Sequence, residues 1–237
     1  MPFAWNKKVI QPVIQPVIQP VIQPVIIKNL DFQHHYDDWT INRVNKLIKI
    51  LGVEWFNGKT ILELGSGSGH VGSKLINLGA IVTFTDGRKE YVDRIKRLYP
   101  SNECYVIDQD KPYDLNKKFD LVIHWGVLYH LNDWKQDLLS ALKHSSIICL
   151  ESEVCDSNDE IELKVNETGY DQALNNIGTR PSPSLIEKFI DLQNKKHVRY
   201  DDSDLNSAGC YHMYDWKQGS QCPGEWKHGL RRFWLLT

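Results

Sequence analysis

The sequence is short of the features that would place it quickly. Its five cysteines are an odd number, scattered, with no Cys-x-x-Cys pair. That argues against a disulfide framework and fits a reducing, cytoplasmic setting. No apolar run approaches the roughly 20 residues of a membrane span. Charge of one sign is missing too: the net charge is −2. A global pull toward nucleic acid or an anionic membrane is therefore not expected, though a local basic patch stays open. Lys7 and Lys8 stand near the start, but Gln-Pro pairs interrupt any signal-peptide core.

What is present suits one folded unit. With 237 residues, 41% hydrophobic and 24% charged, the chain fits one α/β domain with an insertion better than two full domains. Residues 9–24 are four tandem copies of Val-Ile-Gln-Pro. Proline at every fourth position forbids a helix and removes ladder donors, so an extended, polyproline-like arm is expected over 1–28. Its readings are a spacer or partner-binding arm, and a tolerated duplication at a loose terminus. The domain is expected over 29–237, with a variable substrate region at about 153–228.

Within the domain, apolar runs and helical periodicity alternate. Asp37 or Asp38 is expected to cap a helix running to Leu51. Strands are expected at 60–64, 80–85, 103–107, 119–124 and 146–150, and helices at 70–78, from the late eighties to Pro100, and at 134–143. Ser184 and Glu187 are spaced as a capping box for a helix to about Asn194. Strands near 197–201 and 230–236 could close the sheet. Such alternation implies right-handed crossovers and a mostly parallel sheet.

The densest signal is Ile61-Leu-Glu-Leu-Gly-Ser-Gly-Ser-Gly69: a buried strand, a turn of alternating glycines and the start of a helix. Glycine admits positive φ and lets backbone touch a ligand, and a new helix points its free N–H groups at the same spot. Three acids, Glu63, Asp86 and Asp108, fall at successive strand ends. An acid at the second strand's tip can accept from ribose hydroxyls, and Asp108 from an exocyclic amine.

This pattern resembles the class I S-adenosylmethionine-dependent methyltransferases over roughly residues 35–150. Glu63-Leu-Gly65-Ser-Gly67-Ser-Gly69 matches their first motif in full, Phe119–His124 their fourth strand, and Val127-Leu-Tyr-His-Leu131 the run often found after it. The resemblance implies a Rossmann-like three-layer α/β sandwich: a mostly parallel seven-stranded sheet with an antiparallel last strand. It implies S-adenosyl-L-methionine as cofactor, held by Glu63, Gly65, Ser66, Gly67, Gly69, Asp86, Gly87, Asp108, Gln109, His124 and Trp125. His124, at the fourth strand's tip, is the first candidate for a base; His130 and His212 are the others. Trp125 walls the pocket or packs the core. Tyr36 and His35 stand where related enzymes place a lid. Tyr211, His212, Tyr214, Trp216 and Trp226 lie in a loop from which relatives build a substrate pocket, and Arg180 either holds a substrate anion or is a surface residue beside a helix start.

Other readings stay open. Gly67-x-Gly69-x-x-Gly72, with Asp86 further on, also satisfies a dinucleotide fingerprint and so an NAD-dependent oxidoreductase. Against it, Glu63 falls inside a strand where such folds prefer apolar residues. The Gly126–His130 run resembles enzymes that modify the transfer-RNA wobble uridine, but no basic helical arm for RNA is evident. The chain also lacks an Asn/Asp-Pro-Pro-Tyr/Phe motif, which argues against a DNA-base enzyme. The expected acceptor is a hydroxyl of a small molecule, such as a sugar or glycan intermediate; nucleic acid is not expected. A non-catalytic cofactor-binding module is the remaining alternative. Cys210-x-His212 with Cys222 and His228 matches no compact zinc finger, so no metal is expected.

Overall fold

The computed structural model describes residues 35–170, 172–209, 211–220 and 229–237. The Val-Ile-Gln-Pro repeat, the domain start near residue 29, and Cys210, Cys222, Trp226 and His228 lie outside the described residues, as does the side chain of His35.

Three parallel strands at the centre are buried on both faces, and their apolar runs read accordingly, although the last of them ends in Glu-Ser-Glu. They are β1 (Thr60–Leu64), β4 (Leu121–Trp125) and β5 (Ile148–Glu153). With β2 (Ile81–Asp86), β3 (Cys104–Val106), β8 (His197–Tyr200) and β9 (Arg231–Leu236) they form one sheet in the order β3-β2-β1-β4-β5-β9-β8. β9 alone runs antiparallel to the rest, paired with both β5 and β8. The expected seven-stranded sheet with an antiparallel last strand is therefore the one observed. Its order is not that of two mononucleotide halves, which corrects the dinucleotide alternative: after β5 the sheet closes on an antiparallel pair.

Helices cover both faces. On one face α1 (His35–Leu51), α2 (His70–Asn77) and α3 (Lys89–Leu98) pack through Leu47, Leu75 and Ile95 against Ile61, Phe84 and Ile123. On the other, α4 (Trp134–His144) and α5 (Pro183–Leu192) pack through Trp134, Leu138 and Ile186 against Leu62, Val122 and Trp234. Successive strand residues serve opposite cores, as a period of two requires. The strand order reverses between β1 and β4, and this opens a crevice at their carboxyl ends.

Three local expectations are corrected. α1 begins at His35, so Asp37 and Asp38 lie in its first turn rather than at its cap. α5 is capped by Ser182, whose hydroxyl accepts from the Leu185 N–H at 3.1 Å, with Pro183 at the first helical position. Ser184 is already inside that helix. Finally, β6 (Glu162–Asn166) and β7 (Ile177–Pro181) form a separate antiparallel hairpin where the sequence suggests no regular element. β6 buries neither face fully, and β7 contains Gly178 and ends in Pro181, so both read poorly as strands.

Candidate active site

The crevice holds a cleft of about 310 Å³ whose floor is the turn after β1. Gly65, Gly67 and Gly69 have φ of 65°, 52° and 78°. A side chain at Gly65 would also put a Cβ 2.9 Å from Val127 Cβ. All three glycines are thus required by backbone conformation, and Gly65 also by the turn after β4 that closes over it.

Hydrogen bonds tie the turn to β2. The Ser66 N–H donates to Thr85 O at 2.8 Å, and the Thr85 N–H to Ser66 Oγ at 3.0 Å. Asp86 accepts from the Gly67 N–H and the Arg88 N–H, each at 2.8 Å. Burial pushes the Asp86 carboxyl up against the pull of those two amides. Glu63 sits beneath the turn, 3% exposed. Burial raises its carboxyl to about 8, opposed by the Gly72 N–H and by Arg43. Glu63 Oε2 and Ser68 Oγ are buried with no hydrogen-bond partner among the described residues, and both residues line the cleft. Unpaired polar atoms beside bare backbone fit a cofactor with a polar, cationic head, as S-adenosylmethionine has.

Most of the expected cofactor set comes together. Glu63, Gly65, Ser66, Gly67, Asp86, Gly87, Gln109 and Trp125 all line the cleft, and Gly69 begins the helix behind it. Two candidates do not join them. Asp108 points away and pairs with Lys111 at 2.7 Å, while its neighbours Ile107, Gln109 and Asp110 line the cleft instead. His124 is fully buried and bonded to Asp137 on α4, so it neither lines the cleft nor can meet a substrate there. Strand alternation is the reason: Ile123 and Trp125 face the α1 side, and His124 faces α4.

The other two histidines line the cleft. His130 follows β4 on a short 3-10 turn (Leu128–His130), and its Nδ1 meets Glu167 Oε2 at 2.5 Å. No bond from its Nε2 is made among the described residues. Glu167, in the segment after β6, is held by Arg180 Nη2 at 2.6 Å and by the Ala173 N–H at 3.0 Å. Burial would raise its carboxyl, but His130 and Arg180 prevail and hold it below the usual range. His212 stacks on Trp39 with ring centroids 4.2 Å apart and pairs with Ser207 Oγ at 2.9 Å. It forms part of the wall. Among the described residues no cluster of His, Cys, Asp or Glu could hold a metal ion.

Sequence reasoning missed the ion network behind this wall. Arg180 is neither a surface residue nor a free anion binder: it is 2% exposed and bonded to Glu153 at 2.7 Å and to Glu167. Glu151 joins Arg43 at 3.2 Å, Arg231 at 3.0 Å and the Tyr214 hydroxyl at 2.9 Å. The expected fifth strand stopped at Leu150. In the fold β5 continues through Glu151 and Glu153, and Glu153 lies opposite Arg231 on β9. The loop aromatics divide: Tyr214 and Trp216 are buried, while Tyr211 is half exposed at the cleft's edge.

Comparison with known proteins agrees with this geometry. Residues 62–144 match the family model described as a methyltransferase domain. No curated protein matches the chain. Among solved structures, the N-terminal domain of EvdMO1 with SAH bound is 15% identical, with a TM-score of 0.58 over 83% of this chain and 79% of that one. The same domain in the presence of SAH and D-fucose is 16% identical, with a TM-score of 0.59 over 86% and 83%. The glycopeptide N-methyltransferase MtfA complexed with S-adenosyl-L-methionine is 11% identical, with a TM-score of 0.56 over 89% and 99%. With its sheet order and glycine turn, the chain has the Rossmann-like fold of these structures, and its residues 62–144 are similar to the methyltransferase-domain family.

Proposed function

We propose that the chain transfers the methyl group of S-adenosylmethionine to a hydroxyl of a small molecule, such as a sugar or glycan intermediate, with His130 as the base. One observation carries this reading: among the three candidate histidines, His130 alone lines the cleft with its Nδ1 on a carboxylate and its Nε2 unbonded. When bound, the cofactor supplies a methyl group on a sulfonium whose leaving group departs neutral. Glu63, Ser68 and the backbone of Gly65 and Gly67 would hold its amino-acid end, Asp86 the ribose, and Gln109 the base.

Glu167 keeps the Nδ1–H tautomer of His130, leaving Nε2 as the acceptor for the substrate hydroxyl's proton. Arg180 keeps Glu167 ionised while it does so. Proton removal of this kind contributes on the order of 10²–10⁴ in rate, and positioning supplies much of the rest. The wall supports a hydroxylated acceptor over an anionic one. Arg180 and Arg231 are spent on Glu153, Glu167 and Glu151, so neither offers an unspent charge. Tyr36, Trp39 and Tyr211 add aromatic surface at the same end. The likeness to a domain crystallised with D-fucose present agrees with a sugar.

The test is tritium transfer from labelled S-adenosylmethionine into a metabolite or glycan extract, followed by mass spectrometry of the labelled product. A product methylated on oxygen is expected. Cofactor binding without any labelled product would support the non-catalytic module instead.

A further inference from the structure

The nucleoside end of the cleft has a wall whose polarity is set from behind. Gln109 is 3% exposed and lines the cleft. Its Nε2 donates to Asp137 Oδ1 at 3.0 Å. Asp137 is fully buried on α4, where the Tyr113 hydroxyl donates to the same oxygen at 3.2 Å and His124 Nε2 meets the other. Burial and Asp137 push the Tyr113 hydroxyl well up, so it remains a donor. Behind them His124 is wholly enclosed, and its Nδ1 has no partner among the described residues.

A carboxylate only accepts hydrogen bonds. Gln109 can therefore offer Asp137 only its amide NH₂, and its carbonyl oxygen is left over. That oxygen makes no bond among the described residues, and the cleft is what Gln109 lines. A glutamine without such a neighbour could turn about its last torsion and show the cleft either a donor or an acceptor.

We propose that Asp137, steadied by His124 and Tyr113, locks the Gln109 amide so that the cleft presents an acceptor there and selects a 6-amino purine over a 6-oxo one. The proposal rests on the reading that the cofactor's nucleoside lies against Gln109. Asp137 and His124 touch no ligand on this account; they are positioning residues. This gives the buried histidine, well placed in sequence for a base, a different task. A 6-oxo purine would set a carbonyl against the Gln109 carbonyl and leave both unpaired, which buried sites penalise heavily.

Calorimetric titration of the full chain with S-adenosylhomocysteine and S-inosylhomocysteine tests it. The wild-type chain should prefer the adenosyl compound by about tenfold or more. Asp137→Asn should reduce that preference to within about threefold, because a buried amide both donates and accepts and lets Gln109 settle either way. Equal affinity for both compounds in the wild type, or an unchanged preference in Asp137→Asn, overturns the lock while leaving the cofactor reading intact. Binding of neither compound by the folded chain overturns the cofactor reading itself. If circular dichroism shows Asp137→Asn unfolded, Gln109→Met decides. Methionine removes the amide without setting a second carboxylate against Asp137, so the adenosyl preference should fall to within about threefold; an unchanged preference would overturn Gln109 as the group that reads the 6-position.

Discussion

The two ends of the cleft are assembled differently. The nucleoside end comes from one stretch of chain, residues 60–110, in which β1, the glycine turn, β2 with Asp86 and the loop after β3 follow one another. The acceptor end gathers side chains from α1, the turn after β4, β5, the β6–β7 hairpin and β9, and Arg231 bonds Glu151 across 80 positions. A site made from consecutive elements shows itself as spacing. A site made from distant charge pairs does not, because each partner alone looks like a surface residue.

Substitutions sharpen the contrast. The largest effect should fall on catalysis at the acceptor end. His130→Ala should lower the rate of tritium transfer on the order of 10²–10⁴-fold while cofactor affinity holds. Full activity would remove His130 as the base. Arg180→Met should cost about 3–5 kcal/mol of stability in denaturant titration, since it strands the buried carboxylates of Glu153 and Glu167. A loss below about 1 kcal/mol would mean the network is not held as described.

At the nucleoside end the expected effect on stability is spread over pH. Glu63 should make the cofactor-free chain less stable as pH rises. Its carboxyl ionises at about 8 when folded and near its ordinary 4.5 when unfolded. The folded state thus holds the extra proton in that window, and stability falls across it by up to about 1.4 kcal/mol per pH unit. Thermal melts across that range should show the slope in the wild type and lose it in Glu63→Gln. Smallest of all, Asp108→Asn should leave cofactor affinity within about twofold, whereas Asp86→Asn should weaken it about tenfold by losing one of two backbone bonds. Equal losses would undo the distinction between the inward and outward acids.

How much was legible follows the same division. The parallel strands and the floor of the cleft could be read because apolar period, glycine spacing and strand-end acids are local signals; the antiparallel last strand was only what the family resemblance implied. His124 misled because the end of a strand was visible but its facing was not; alternation from Ile123 decides that, and α4 supplies the partner. Asp108 and Gln109 lie in the loop after β3, where no alternation tells inward from outward, and the burial of Gln109 against Asp137 settles which faces the cleft. The β6–β7 hairpin stayed hidden because strands with little buried face carry little pattern. Yet it leads into Glu167, the partner of His130.

β9 lies inside the sheet, flanked on both sides, and delivers Arg231 to the wall. A polypeptide halted before residue 231 would possess every glycine and acid of the cofactor floor. It would nonetheless leave β5 and β8 unjoined and Glu151 short of a guanidinium. Completion of the domain therefore waits on its farthest-downstream strand, and premature stop codons there should be as damaging as loss of the glycine turn.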